Sequence, residues 1–172
     1  RVYVGNFGHD SDAGEPAVET VIHRVDTEGS VHVAAEEVEF PNAMAIIDGG
    51  RTLVVAETWR GKLTAFDLSE DGKLSNRRTF ADLGPRQPDG ICADAEGAIW
   101  TGCFNTGEFL RVKAGGEITD RIAFDGCGVA CTIGGPSRHT LFCTVYCGPV
   151  SDLVAGRRKA AVFTLDVAVG AA

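Results

Sequence analysis

The chain has 172 residues, and its shares of charged (23 %) and hydrophobic (44 %) residues are typical of a globular protein rather than a disordered or fibrous one. Its formal net charge of −8 repels phosphate backbones, so we expect no nucleic-acid partner. We expect no membrane partner either, because no apolar run approaches the roughly 20 residues that cross a bilayer.

Short β-rich runs bounded by Gly, Asp, Asn and Pro succeed one another along the chain, and helical periodicity is nearly absent. The run at residues 2–5 (VYVG) is followed by three similar ones, at residues 53–56 (LVVA), 99–102 (IWTG) and 141–144 (LFCT). They recur about every 40–50 residues, which is the period of a propeller blade made of four strands.

Each repeat predicts further strands in a constant order around the recurring run. An apolar strand precedes the run, at residues 43–47, 91–93 and 129–133. A second strand follows at residues 21–25, 63–68, 109–112 and 162–165, and a more polar third strand at residues 30–34, 76–80 and 117–123. Blades bury their faces only against neighbouring blades, so this repetition predicts an all-β propeller. A β-sandwich of about eight to twelve strands is the alternative, which the repeated order disfavours.

Two consecutive repeats place an oxygen-bearing side chain where the apolar strand begins. Asn42 and Asp89 each follow a proline, and they lie 47 residues apart, which is one blade period. The apolar strands of a propeller line its central channel, so these side chains should converge as ligands for a hard cation: Ca²⁺, Mg²⁺, Mn²⁺ or, less typically, Zn²⁺. The third repeat has Gly126 or Cys127 there and offers no oxygen. The alternative is that both are turn residues bonded to their own backbone.

Asp10 belongs to the polar loop at residues 9–12 (HDSD), directly after the first predicted strand. This loop could fold over the mouth of the channel and present Asp10 to a ligand. The alternative interpretation is a solvated acidic turn.

Six cysteines lie at residues 92, 103, 127, 131, 143 and 147, several of them inside apolar runs. We interpret them as buried thiols of a protein in the reducing cytoplasm, because a chain of this size and hydrophobicity needs no disulfides. The alternative is a four-thiolate zinc site made by Cys127, Cys131, Cys143 and Cys147. Their three-residue spacing and their positions in predicted strands disfavour it.

Five segments of the chain resemble the gluconolactonase, senescence-marker-protein and regucalcin family: residues 40–56 (FPNAMAIIDGGRTLVVA), 66–82 (FDLSEDGKLSNRRTFAD), 88–105 (PDGICADAEGAIWTGCFN), 134–136 and 140–144. The resemblance implies a six-bladed propeller of which residues 1–172 form roughly the last four blades. The blade units would be about 1–40, 41–87, 88–126 and 127–170, with the N-terminal blades absent.

The same resemblance implies an activity and a site. Family members hold one divalent metal ion in the central channel, and many hydrolyse sugar lactones. Asn42 and Asp89 match two of the family's metal ligands, whereas its Glu ligand would come from outside this chain. Asp10 matches an acidic position that touches substrate, although Asn6 and Phe7 replace the usual Thr-Met before it.

The resemblance further implies metal-assisted lactone hydrolysis with Ca²⁺ as the first candidate for the ion. In that reaction the cation polarises the ring carbonyl, and Asp89 orients or deprotonates the attacking water, which makes it a catalytic residue as well as a ligand. Two other classes stay open: another metal-dependent esterase or phosphotriesterase, and a calcium-binding propeller without catalysis. We expect the chain to need the missing blades, or another chain, to close the ring, and to be inactive alone.

Overall fold

The computed structural model describes residues 1–10, 13–157 and 159–172. These residues form four antiparallel sheets that follow one another along the chain. The first sheet contains β1 (Val2–Val4), β2 (Glu19–Val25) and β3 (Val31–Glu39). The second contains β4 (Pro41–Ile47), β5 (Thr52–Glu57), β6 (Lys62–Leu68) and β7 (Leu74–Asp82).

The third sheet contains β8 (Pro88–Ala93), β9 (Ile99–Cys103), β10 (Glu108–Val112) and β11 (Ile118–Ala123). The fourth contains β12 (Cys127–Gly134), β13 (Thr140–Tyr146) and β14 (Ala160–Asp166), with the short helix α1 (Val150–Val154) between β13 and β14. Among the described residues, neither this helix nor any other has the length and apolarity that a membrane crossing requires.

Strand order within each sheet follows the chain, so every sheet is a meander. Strand β8 packs against β4 on one side and against β12 on the other, which brings the first strands of three successive sheets together. Outer strands lie farther from this centre. This is the arrangement of neighbouring propeller blades, and the predicted all-β propeller is confirmed. The β-sandwich alternative is wrong.

The core consists of apolar layers between successive sheets. Strand β5 shows how they form: Leu53 and Val55 pack on the first sheet, whereas Val54 and Ala56 pack on the third. Successive side chains of a strand point to opposite faces, so a strand between two blades must be apolar at every position. A third layer joins the third and fourth sheets through Trp100.

A glycine lets the third and fourth sheets approach each other closely near the centre. A Cβ atom added to Gly90 on β8 would lie 2.5 Å from the Cα of Ala130 on β12, which no side chain tolerates. The backbones of the two innermost strands are therefore in direct contact at this level.

Two details differ from the predicted strands. The first-sheet strand expected at residues 30–34 extends to Glu39, because its outer positions are polar and hide the end of the strand. Helix α1 was not predicted, since its five residues are too few to show a helical period. Between β4 and β5, the Asp-Gly step at residues 48–49 lies in a single 3₁₀ turn, and both of its residues have positive φ.

Candidate functional site

Asn42 and Asp89 occupy equivalent positions at the starts of two adjacent strands. Each is the second residue of its strand, β4 or β8, and each is half-buried. In both sheets the pairing with the next strand shifts at this point, between Pro41 and Met44 and between Pro88 and Ile91. Such irregularities turn a side chain out of the regular alternation. The repeat thus positions an amide and a carboxylate side by side.

Thr58 connects the two strand starts through hydrogen bonds. The Asn42 amide Nδ2 donates to Thr58 Oγ1 at 3.3 Å, and Thr58 Oγ1 donates to the carbonyl oxygen of Pro88 at 2.8 Å. The Asn42 amide also acts as a hydrogen-bond donor toward the Asp89 carboxylate. Thr58 was not predicted from the sequence, because the aligned position of the third sheet is Phe104 and no repeat marks it.

A cavity of about 670 Å³ opens over these side chains. Its polar lining comes from Asn42, Asp89, Thr58 and Gln87, and its apolar lining from Phe7, Phe40, Trp59, Phe104, Val150 and Leu153. Three of the aromatic rings form one cluster. Phe7 stacks on Phe40 with ring centroids 3.9 Å apart, and Trp59 meets Phe40 edge-on at 5.0 Å. The cavity lining therefore combines a polar group of side chains with aromatic and aliphatic ones.

Asp89 is a carboxylate without a cationic partner among the residues that the structure describes. Burial raises the pKa of Asp89 to about 6, and the hydrogen bond from Asn42 opposes this only in part. Among the described residues, no arginine or lysine forms an ion pair with it. Among the described residues, the other buried carboxylates all have such partners: Glu57, Asp94, Glu108 and Asp152.

The donor set suits a hard divalent cation, because a carboxylate and an amide supply oxygen ligands and no described arginine or lysine competes for the carboxylate. Two protein ligands are fewer than such an ion requires. In the part of the chain that the structure describes, no group of three or more His, Cys, Asp or Glu side chains could hold a metal ion. Further oxygens would have to come from water, substrate or other parts of the protein.

The four-thiolate zinc alternative finds no support. Cys127 and Cys131 lie on β12 and Cys143 on β13, whereas Cys147 is exposed beyond the end of β13. None of these described cysteines belongs to a group that could hold a metal ion. Each of the six cysteines carries a free thiol.

Asp10 lies in the loop after β1 and is exposed. Its backbone N–H donates to the Glu15 carboxylate at 2.8 Å, and its own carboxylate accepts from the Ala13 N–H at 3.0 Å. It is not among the residues that line the cavity. Phe7, from the same loop, does line the cavity, and the neighbouring residues 11 and 12 are outside the described ranges. A substrate contact by Asp10 stays a prediction.

The chain is similar to curated and solved proteins over most of its length. Over 108 residues it is 35 % identical to regucalcin of Xenopus laevis, covering 59 % of this chain and 36 % of that protein. A solved calcium-binding regucalcin of Agrobacterium tumefaciens superimposes with a TM-score of 0.71 at 22 % identity, covering 88 % of this chain and 54 % of the other. This likeness supports the fold alone.

A gluconolactonase of Xanthomonas campestris superimposes with a TM-score of 0.63 at 29 % identity, covering 73 % of this chain and 41 % of that one. The chain therefore spans about half the length, or less, of these relatives. The family model of the SMP-30/Gluconolactonase/LRE-like region matches residues 1–146 of this chain. With this match and the propeller sheets together, the chain belongs to the SMP-30/gluconolactonase/LRE-like family.

Proposed function

We propose that the protein hydrolyses a sugar lactone with the help of one divalent cation held by Asn42 and Asp89. The observation that carries this proposal is Asp89 itself: a half-buried carboxylate beside an amide, facing a cavity, with no arginine or lysine paired to it among the described residues. A fold keeps such a group only where something compensates its charge. Family membership supports the reaction class, since a gluconolactonase is among the relatives.

The cation supplies Lewis-acid polarisation of the lactone carbonyl when it is bound. Ca²⁺ is our first candidate, because it accepts carboxylate and amide oxygens in flexible geometry, and Mg²⁺, Mn²⁺ and Zn²⁺ are the alternatives. Asn42 is presented by Thr58, whose hydroxyl is itself fixed on the Pro88 carbonyl at 2.8 Å. Thr58 thereby holds the two strand starts in one arrangement.

Asp89 is the one carboxylate among the described residues that line the cavity, so we assign it the proton-handling role. An oxygen of its carboxylate orients a water molecule toward the lactone carbonyl carbon and accepts a proton from it. Donors placed at the developing oxyanion would stabilise the tetrahedral stage. The Asn42 amide, which already donates toward Asp89, is positioned to keep that carboxylate pointed into the cavity.

The aromatic side chains of the lining suit a ring-shaped substrate. Phe7 and Trp59 are partly exposed and offer flat apolar surfaces in the same cavity as the polar side chains, and a lactone ring has apolar C–H faces that pack on them. We propose Asp10 as a substrate contact from the loop that carries Phe7. The remaining ligands and the closure of the ring would come from the N-terminal blades or another chain, and we place the protein in the cytoplasm on account of its six free thiols.

A metal-dependent esterase or phosphotriesterase is the second candidate. Six of the ten residues that line the cavity are apolar, which would also accommodate an aryl or alkyl ester. Such an enzyme would share the fold and the ligands, so only turnover separates the two.

The test is a turnover assay of the intact protein on sugar lactones, aryl esters and organophosphates, with and without chelator. We expect lactone turnover that stops with chelator and returns with Ca²⁺. Asp89→Asn should lose both turnover and Ca²⁺ binding, the latter measured by calorimetry. Asp125→Asn, at an exposed carboxylate, should keep both. Normal turnover by Asp89→Asn would refute the assignment. Ca²⁺ binding without turnover of any substrate would leave a calcium-binding propeller instead.

A further inference from the structure

Two cysteines from different sheets are in contact near the centre of the molecule. Cys92 lies on β8 and Cys131 on β12, and their Sγ atoms are 3.9 Å apart. The Cys131 thiol also lies 3.8 Å from the carbonyl oxygen of Gly90. The close approach of the two strands at Gly90, where a Cβ would collide with Ala130, brings the two thiols together.

We propose that Cys92 and Cys131 form an oxidation site at which a hydroperoxide, with hydrogen peroxide as its simplest member, converts the two thiols into a disulfide that joins the third and fourth sheets. Thirty-nine residues separate the two cysteines along the chain, so the bond would be a long-range cross-link. To form the bond, the sulfur atoms must approach from 3.9 Å to about 2.05 Å, a movement that we assign to rotation of the two side chains.

The reaction balances with the peroxide as the oxidant. The Cys92 thiolate attacks one peroxide oxygen, the O–O bond breaks, and a sulfenic acid forms as one water leaves. The Cys131 sulfur then attacks the Cys92 sulfur, the S–O bond breaks, and the hydroxide leaves as a second water with the Cys131 proton. In sum, two thiols and one hydrogen peroxide give one disulfide and two waters.

The two thiols are unequal in a way that fits this sequence of steps. The hydrogen bond between the two thiols lowers the pKa of Cys92, although burial and the Asp94 carboxylate oppose it. The interaction with Cys92 and burial raise the pKa of Cys131. Cys92 is also the more exposed of the two. Cys92 is therefore the attacking thiolate and Cys131 the thiol that completes the bond.

The other cysteines serve as internal comparisons. Cys143 lies directly opposite Cys131 in the β12–β13 register, but burial and the neighbouring Cys92 raise its pKa to about 12. Burial together with Glu108 raises the pKa of Cys103 to about 12 as well. Cys147 is exposed, and its contact is with the Val145 carbonyl rather than with another thiol.

The test is peptide mapping of the intact protein after treatment with hydrogen peroxide. Trypsin places Cys92 together with Cys103 in the peptide 87–111 and Cys131 together with Cys127 in the peptide 122–138, whereas Cys143 and Cys147 share the peptide 139–157. We expect a cross-link between 87–111 and 122–138 that loses two hydrogen masses and disappears with dithiothreitol. The oxidised protein should unfold at a temperature about 5–10 °C higher than the reduced protein.

Variants identify the sulfurs involved. Cys92→Ala and Cys131→Ala should each abolish the cross-link, and Cys92→Ser and Cys131→Ser provide a second pair in case an alanine variant fails to fold. Cys143→Ala and the double variant Cys103→Ala/Cys127→Ala are matched controls and should keep it. Three results would overturn the proposal: a cross-link that survives Cys92→Ala, a cross-link between 122–138 and 139–157, or oxidation of Cys92 to sulfinic acid without a cross-link.

Discussion

The acids inside the sheets and the acid in the cavity are held in opposite ways. Asp94, at the end of β8, is completely buried, and it accepts hydrogen bonds from the Glu96 and Ala98 N–H groups and from Arg111 at 2.6 Å. Asp89, at the start of the same strand, is half-buried and receives only the Asn42 amide from the described residues. Within six residues, from Asp89 to Asp94, the chain therefore contains one carboxylate with a cationic partner and one without a described cationic partner.

The two carboxylates differ in their effect on stability: Asp94 contributes to the stability of the fold, whereas Asp89 lowers it. A buried carboxylate costs several kcal/mol unless a cation and hydrogen bonds compensate it. The charge of Asp94 is fully compensated by its ion pair and hydrogen bonds. Through Arg111, Asp94 therefore connects the turn after β8 to strand β10. Asp89 is not compensated by the described side chains, and its burial raises its pKa. A buried carboxylate that lowers the stability of the fold is what we expect at a functional site.

The largest effect that this comparison predicts follows from removing the partner of Asp94. Arg111→Ala leaves a buried carboxylate with backbone donors only, and we expect a loss of about 3–5 kcal/mol in the free energy of unfolding. The control is Arg78→Ala, which breaks the exposed ion pair with Asp67 and should cost less than about 1 kcal/mol. Denaturant titration measures both. Equal losses in the two variants would contradict the distinction between buried and exposed pairs.

A smaller loss is expected on acidification, through Glu57. Burial alone would raise the pKa of Glu57, but hydrogen bonds from Thr64 and the Glu39 N–H, with the charges of Lys62 and Arg77, outweigh it and lower the pKa below its ordinary value of 4.5. Because the folded state holds the proton less tightly than the unfolded state, this stabilisation is fully present above about pH 4.5. It is lost as the pH falls through the lowered pKa.

The measurement is the free energy of unfolding between pH 7 and pH 3 for the wild type and Glu57→Gln. The variant should be less stable at pH 7, because Arg60, Lys62 and Arg77 lose their common carboxylate. The difference between the two proteins should shrink toward pH 3. A constant difference over the whole range would show that the Glu57 charge contributes nothing.

The repeat explains how much of this could be predicted from the sequence. Strand order, and the pairing of Asn42 with Asp89 at two strand starts, follow from a period that the residues display directly. The period does not predict the roles of Thr58 and Trp59 or the contact between Cys92 and Cys131. Each of these depends on which side chains neighbouring sheets bring together, and none has a counterpart one period away. Position within a repeat is visible in the sequence, whereas contact between repeats is not.

The smallest and most discriminating effect concerns Asp89 itself. In the presence of chelator, Asp89→Asn should raise the free energy of unfolding at pH 7 by about 1 kcal/mol, because it removes a half-buried charge that no described arginine or lysine compensates. Calcium should then stabilise the wild type and leave the variant unchanged, since only the wild type retains the carboxylate ligand. Thermal unfolding with and without Ca²⁺ measures both effects, with Asp125→Asn as the control. If Asp89→Asn were strongly destabilising in chelator, Asp89 would be a structural acid like Asp94, and the contrast between cavity and sheet interior would not hold.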